Sequence, residues 1–221
     1  MSSAAPTGDR SPAADSSAGA RAEGPSLPEL VRQRGAALLD GLERHLPGSR
    51  EHAEGTASYA LIAAADLGYE APRVELLREA AKLHEIGKVY LPAAILAKPI
   101  SELSVTERAG LDRHFLAGAQ LAAGAGIPTE VCAWIRAAGE RYDGAGPGRL
   151  AADAIPSEAR VIHAACVCDE LLRAPAEEAP GDGAAPVSPS ARAANGLLAR
   201  AGTELDPASA VALADALERA G

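Results

Sequence analysis

The chain has 221 residues, of which 48% are hydrophobic and only 3% aromatic, and its formal net charge at pH 7 is -9. This length and apolar content are sufficient for one domain with a sizeable core. The acidic balance and the scarcity of rings argue against a nucleic-acid-binding protein, because phosphate backbones attract clustered Lys and Arg and unpaired bases stack on aromatic side chains. We therefore expect protein or small-molecule partners, and the sequence leaves the oligomeric state open.

The first segment differs in composition from the rest. Residues 1–24 are mainly Ser, Ala, Gly and Pro with scattered charges, which predicts a disordered tail before a helical domain at residues 25–221.

The N-terminus lacks a basic-then-apolar signal pattern, and no apolar run reaches the roughly 18 residues that a membrane span needs. Three cysteines, Cys132, Cys166 and Cys168, form no CxxC pair. We expect a cytoplasmic protein that does not bind membranes.

Apolar residues at helical spacing predict an all-α fold. The predicted helices cover residues 27–46, 51–67, 72–85, 104–123, 129–138, 156–173, 191–201 and 207–220. Ser104 and Glu107 form a capping-box pattern that starts the fourth helix, which is predicted to continue through His114. Residues 142–148 have the glycine and proline content of a loop, and residues 174–189 that of a flexible insertion.

The strongest functional signal is the run His84, Glu85, Ile86, Gly87 and Lys88. A histidine next to a carboxylate at the end of a helix can offer a divalent metal both nitrogen and oxygen ligands. A lysine close behind them places a cation where a phosphate could bind. The pattern therefore predicts a metal site with a phosphate contact at the lysine.

Together with the segments around it, this run resembles the HD-GYP subgroup of the HD metal-dependent phosphohydrolases, whose active members hydrolyse cyclic di-GMP. The resemblance covers about residues 50–172 and a junction at residues 201–207. The early family histidine matches His52, the HDIGK motif matches residues 84–88 with Glu85 in place of Asp, and the later histidine matches His114. The resemblance implies an HD-domain-like helical bundle and bound divalent metal.

Several positions depart from the family pattern. Where the family carries a His-His pair before Glu-Arg-(Trp/Tyr)-Asp-Gly, this chain has Ala138 and Gly139, and the GYP motif lacks its Tyr at residues 146–147. The metal-binding Asp of the next helix is replaced by Cys166, and only the second Asp remains, as Asp169. A two-metal site needs enough ligands to hold two ions about 3.5 to 4 Å apart. These losses predict that such a site does not form.

The roles of the remaining residues stay open at this point. Cys166 either joins His52, His84 and Glu85 around one soft or borderline ion or fills the vacated space as a small buried hydrophobe. Asp169, one helical turn from Cys166, is an alternative ligand. The three family histidines either keep contact with a metal or anion or are buried imidazoles hydrogen-bonded to the backbone or to Glu85.

Arg141 and Tyr142 follow the position of the missing histidine pair. They either contact a nucleotide or pack with Trp134 as part of their loop.

Two functions are compatible with these residues. The first is a non-catalytic signalling or interaction module on an HD-GYP scaffold, which binds a small nucleotide or docks a protein partner and needs no metal. The second is a one-metal phosphohydrolase that uses iron, manganese or zinc, with Lys88 steadying the phosphate. The losses fall on ligand positions and spare the scaffold, so the sequence favours the first. A third possibility, a helical output scaffold such as the related HDOD group, needs no site, and residues 84–88 argue against it.

Overall fold

The computed structural model describes Met1, residues 24–175 and residues 187–220. In these residues the chain forms ten α-helices and three short 3-10 helices, the latter at Ile86–Tyr90, Ile100–Glu102 and Ala152–Ala154. The α-helices are α1 (Leu27–His45), α2 (Ser49–Asp66), α3 (Ala71–Leu83), α4 (Ala93–Leu96), α5 (Val105–Asp112), α6 (His114–Gly124), α7 (Thr129–Ala137), α8 (Ser157–Arg173), α9 (Pro189–Leu198) and α10 (Pro207–Ala220).

The all-α prediction is confirmed, since these described ranges contain no strand beyond an isolated bridge between Ala201 and Leu205. None of the helices in this part of the chain is long and apolar enough to cross a membrane. The predicted tail at residues 1–24 and most of the predicted insertion at residues 174–189 lie outside the described residues. The helix after the insertion begins at Pro189, two residues earlier than predicted.

The core is built around the contact between α2 and α8, and α3, α9 and α10 pack around this pair. Alanines are buried on both sides of it, including Ala60 and Ala64 of α2 and Ala164 and Ala165 of α8. Small side chains let two helices approach closely, because ridge and groove can interlock with little side-chain bulk between the axes. The close packing of α2 and α8 brings residues near position 52 against residues near position 166.

The predicted third helix ends earlier than its pattern indicated. It was expected to reach Glu85, but α3 stops at Leu83, and His84 and Glu85 lie in the turn before the 3-10 helix Ile86–Tyr90. Gly87 explains why the chain turns here. A Cβ atom at this position would lie 1.9 Å from the carbonyl oxygen of His114, so only glycine allows the backbone to pass this close to α6.

The predicted fourth helix is divided in two. Its start is confirmed, because Ser104 and Glu107 form both hydrogen bonds of a capping box. The continuous run through His114 is wrong, since α5 ends at Asp112 and α6 begins at His114. At the break, the Nδ1 atom of His114 lies 2.5 Å from the carbonyl oxygen of Leu111, so a side chain takes up a carbonyl of the last turn of α5.

Candidate metal centre

Four side chains from three parts of the chain converge at one end of the α2–α8 contact. His52 of α2, His84 and Glu85 of the turn after α3, and Cys166 of α8 each offer one donor atom, and these atoms lie within 4.8 Å of one another. The Nε2 atom of His52 is 3.8 Å from Oε2 of Glu85 and 3.6 Å from Sγ of Cys166. We call these residues the four-donor group. Two nitrogens, an oxygen and a sulfur are a ligand set typical of zinc and other borderline ions.

His84 of this group and the neighbouring His114 each present an unpaired ring nitrogen. The Nδ1 atom of His84 lies 2.7 Å from the carbonyl oxygen of Ala81, and Nδ1 of His114 bonds to Leu111. Because a carbonyl only accepts, each Nδ1 carries the proton and each Nε2 keeps its lone pair. Both Nε2 atoms are buried and have no hydrogen-bond partner in the described residues. Such orphaned buried atoms are costly, and their lone pairs fit a metal ion as the partner that would satisfy them.

The protonation states of the group suit a cation. Burial lowers the pKa of His84 to about 3 and the pKa of His114 to about 4, so both imidazoles are neutral at pH 7. Burial acts to raise the pKa of Glu85, but the positive charge of Lys88 holds it well below its usual range. The pKa of His52 shifts the other way, because burial is outweighed by its hydrogen bond to Asp169 and the charge of Glu85, which raise it. The centre therefore offers a carboxylate and a neutral His84, which are ligating forms, and His52 would bind a cation in its neutral form.

Cys166 completes the group as a thiol that must lose its proton to bind a metal. Burial and the carboxylates of Glu170 and Glu85 raise the pKa of this thiol well above its ordinary value. The Sγ atom also lies 3.8 Å from Oε1 of Glu170, on the exposed side of α8. Binding of a cation by Cys166 would thus release a proton.

Lys88 lies at the edge of the same group. Its ammonium forms an ion pair with the carboxylate of Glu85, and its side chain is 18% exposed. Burial alone would lower the pKa of Lys88, but Glu85 outweighs burial and the pKa is raised. The predicted phosphate contact is therefore a charged group between the four donors and solvent.

Asp169 lies behind His52, outside the four-donor group. Its Oδ2 atom is 2.7 Å from Nδ1 of His52 and 2.6 Å from Nε of Arg173. The carboxylate thus faces the ring nitrogen that points away from Glu85 and Cys166. His114 is the other predicted ligand that lies outside the four-donor group.

The ring of Phe115 fills the space beside Gly139, one of the two positions where the family resemblance implies histidines. Ala138 and Gly139 bring no donor atom, and a Cβ atom on Gly139 would meet the ring of Phe115. The centroid of this ring is 3.9 Å from that of the His114 ring. Phe115 was not predicted as part of this site, although a large residue next to His114, in a chain with glycine at position 139, is a signal for such a contact.

Arg141 and Tyr142 belong to the loop and not to the four-donor group. The guanidinium of Arg141 pairs with both carboxylate oxygens of Asp143, at 3.2 and 2.7 Å. The backbone N–H of Tyr142 donates to the carbonyl of Glu204, and its own carbonyl accepts from Ala152. These contacts hold the two residues within the loop and its neighbouring turn.

Comparison with known proteins extends over most of this bundle. A family model described as the HD domain matches residues 37–208. The cyclic di-GMP phosphodiesterase response regulator RpfG of Xanthomonas campestris pv. campestris is 35% identical over 150 residues, which cover 66% of this chain and 39% of that protein. The 3'3'-cGAMP-specific phosphodiesterase 2 of Vibrio cholerae is 29% identical over 140 residues, 61% of this chain and 26% of that protein. The chain thus spans well under half the length of these curated relatives.

Two solved structures share the fold. Bd1817, an HDG"Y"P protein from Bdellovibrio bacteriovorus, has a TM-score of 0.62 at 21% identity, over 87% of this chain and 61% of that one. The HD domain of the L. monocytogenes phosphodiesterase PgpH, in complex with cyclic-di-AMP, has a TM-score of 0.57 at 15% identity, over 83% of this chain and 94% of that one. The matched family region contains all of the site residues described above, and the chain belongs to the HD-domain family, as its resemblance predicted.

Proposed function

We propose that this protein is a non-catalytic signalling domain of the HD family that holds one divalent metal ion and binds a cyclic dinucleotide beside it. The observation that carries this proposal is the contact between Phe115 and Gly139. The ring takes the space of a side chain at the position where the family resemblance implies a second set of nitrogen ligands. Because a hydrophobic ring fills the space where the family resemblance implies the second set of ligands, the absence of those ligands is matched by a change in packing.

The four-donor group and Lys88 support recognition of a phosphate group. Lys88 places an ammonium at the partly exposed edge of the four-donor group, and His52 and Cys166 are also partly exposed. When bound, a divalent ion supplies positive charge and Lewis-acid chemistry to a phosphoester. Hydrolysis by the two-metal route needs a clamp on both the attacking and the leaving oxygen. A single set of four donors supports binding but lacks the second half of that clamp.

The ligand class in the proposal comes from the relatives. RpfG and a second Vibrio cholerae protein are cyclic di-GMP phosphodiesterases, and another relative is specific for 3'3'-cGAMP. A cyclic dinucleotide presents two phosphates and two bases, so one phosphate can meet Lys88. Since the chain spans only part of each curated relative, ligand and activity are proposals for this chain.

Calorimetric titration and product analysis test the proposal together. The protein, loaded separately with iron, manganese or zinc, is titrated with cyclic di-GMP, cyclic di-AMP and 3'3'-cGAMP, and the same mixtures are analysed for linear products. We expect binding of at least one dinucleotide, no product, and loss of both metal and ligand binding in His84→Ala. The control is His45→Gln, since His45 bonds to the carbonyl of Leu91, outside the four-donor group. Absence of binding to all three dinucleotides would contradict the proposal.

The second candidate is an active one-metal phosphohydrolase. The convergence of four donor atoms next to Lys88 favours it, because this arrangement can hold an ion and a phosphate in contact. Dinucleotide turnover that needs metal and disappears in His84→Ala would establish this function in place of the first. A protein that gains neither metal nor activity on reconstitution would exclude it.

A further inference from the structure

A buried carboxylate network lies behind the metal centre. Asp169 is only 4% exposed, and its Oδ2 atom accepts from both Nδ1 of His52 and Nε of Arg173. The Nη1 atom of Arg173 is also 3.1 Å from Oε1 of Glu51, the residue before His52. Arg173 therefore ties the carboxylate of α8 to the same turn of α2 that carries the histidine.

Gly55 makes room for this carboxylate. A Cβ atom at residue 55 would lie 2.0 Å from Oδ1 of Asp169 and 2.8 Å from its Cγ. Gly55 is three residues after His52 on α2, so both residues face the same part of α8. Any larger residue at this position would push the carboxylate away from the imidazole.

The contact determines which nitrogen of His52 faces the four-donor group. An ionised carboxylate only accepts hydrogen bonds, so in the neutral ring Nδ1 of His52 carries the proton and Nε2 keeps its lone pair. That Nε2 is the atom directed toward Glu85 and Cys166. In metal sites of other proteins, a carboxylate on the second ring nitrogen fixes both the tautomer and the orientation of a ligating histidine.

We infer that Asp169 is a positioning residue and not a metal ligand, and that with Arg173 and Gly55 it holds His52 as an Nδ1–H tautomer aimed at the metal centre. The expected effect of this positioning on metal affinity rests on the proposed function. The tautomer itself exists without metal, so the two ideas can be tested separately.

The first experiment reads the tautomer in the metal-free protein. Long-range 1H–15N correlation spectra of the 15N-histidine-labelled chain are recorded at alkaline pH, where the rings are neutral. We expect the proton of His52 on Nδ1 in the wild type, and its partial or complete transfer to Nε2 in Asp169→Ala and Gly55→Ala. A wild-type His52 with its proton on Nε2, or spectra unchanged by both substitutions, would overturn the inference.

Matched controls separate positioning from general destabilisation. Asp206→Asn removes another buried carboxylate that pairs with an arginine, and Gly110→Ala adds a methyl group to a helical glycine with no atom within 4 Å of the new Cβ. Neither residue contacts His52. Both controls should leave the His52 tautomer as in the wild type.

The second experiment measures zinc affinity by competition with a chelator. We expect Asp169→Asn, which keeps the shape of the side chain, and Gly55→Ala each to weaken zinc binding about 10- to 100-fold, the usual effect of losing an outer partner of a ligand. The two controls should bind zinc as the wild type does. Unchanged affinity in both variants would contradict the positioning role. A wild type with the Nδ1–H tautomer that binds no zinc would refute the proposed metal centre and support the positioning of His52 alone.

Discussion

The ring of Phe115 lies where a side chain of residue 139 would have to be, because a Cβ atom built on Gly139 would be 2.0 Å from Cε2 of that ring. Phe115 lies in α6 and Gly139 lies in the turn after α7, and neither contributes a metal-binding atom. Their contact nevertheless determines the space beside His114, against which the same ring packs. A histidine at residue 139 would require Phe115 to move.

The first prediction concerns this contact. Gly139→Ala should lower the free energy of unfolding by about 1–3 kcal/mol, because the new methyl group overlaps a ring packed against the core. In a Phe115→Ala background the same substitution should cost clearly less, since the overlapping atoms are gone. Urea denaturation of the four proteins of this double-mutant cycle gives the coupling energy.

Gly124→Ala is the control for this cycle, because a Cβ atom there has no neighbour within 4 Å. It should change stability little in either background. Equal costs for Gly139→Ala with and without the Phe115 ring would contradict the steric explanation.

The second prediction concerns the sulfur in the four-donor group. Cobalt(II) added to the metal-free protein should produce thiolate-to-cobalt charge-transfer absorption in the near ultraviolet. The reason is that Sγ of Cys166 lies within 4.8 Å of the other three donor atoms, close enough to share one ion with them. This absorption should disappear in Cys166→Ser and persist in Cys132→Ser, whose thiol bonds to the carbonyl of Ile127. Cys166→Asp should shift the preference from zinc toward manganese, since oxygen ligands suit the harder ion. Identical spectra for wild type and Cys166→Ser would exclude the thiolate as a ligand.

The third prediction concerns the ion pair that ties α8 to the start of α10. The Nη1 atom of Arg160 is 3.0 Å from Oδ1 of Asp206, whose Oδ2 accepts from the backbone N–H of Ser209. Asp206→Asn keeps an oxygen to cap α10 but removes the buried charge that faces Arg160, which then keeps only its exposed partner Asp153, at a cost of about 2 kcal/mol. Asp206→Ala should cost about 1 kcal/mol more, because it also removes the cap.

Asp153→Asn is the matched control, because Asp153 pairs with the same arginine but its side chain is 92% exposed. Exposed pairs contribute at most about 1 kcal/mol. Thermal or urea denaturation of the three variants should therefore place Asp153→Asn nearest the wild type. A larger loss at Asp153 than at Asp206 would contradict this account.

The fourth prediction concerns pH. Burial lowers the pKa of His163 below its ordinary value of 6.5, and the ring stays neutral with Nδ1 bonded to the carbonyl of Glu140. As the pH falls through 6.5, the unfolded chain takes up a proton at this site at a higher pH than the folded chain does, so the free energy of unfolding decreases. His163→Asn keeps a donor near Nδ1 but does not titrate. Its stability relative to the wild type should therefore rise between pH 7 and pH 5, and parallel pH curves from urea unfolding would contradict the assignment.

Much of the scaffold could be predicted from the sequence, because it depends on local rules. Apolar spacing sets the helices, glycine and proline end them, and the capping box at Ser104 depends on residues only three positions apart. Two predicted boundaries were wrong. The end of α3 depends on the close approach of Gly87 to the distant backbone of α6. At the break before His114, its ring bonds to the carbonyl of Leu111, a side-chain contact that apolar spacing does not report.

The sequence by itself determined the all-α class, the family resemblance and the residue types that can bind a metal. Only the tertiary structure decided which of them share one space. His52 and Asp169 are 117 residues apart, and periodicity could not reveal that the carboxylate faces Nδ1 and leaves Nε2 to the four-donor group. The same holds for Phe115 beside Gly139. The physical reason is that side chains distant in sequence meet only through the packing of helices. That packing decides whether a carboxylate faces the ion itself or faces a histidine that binds the ion.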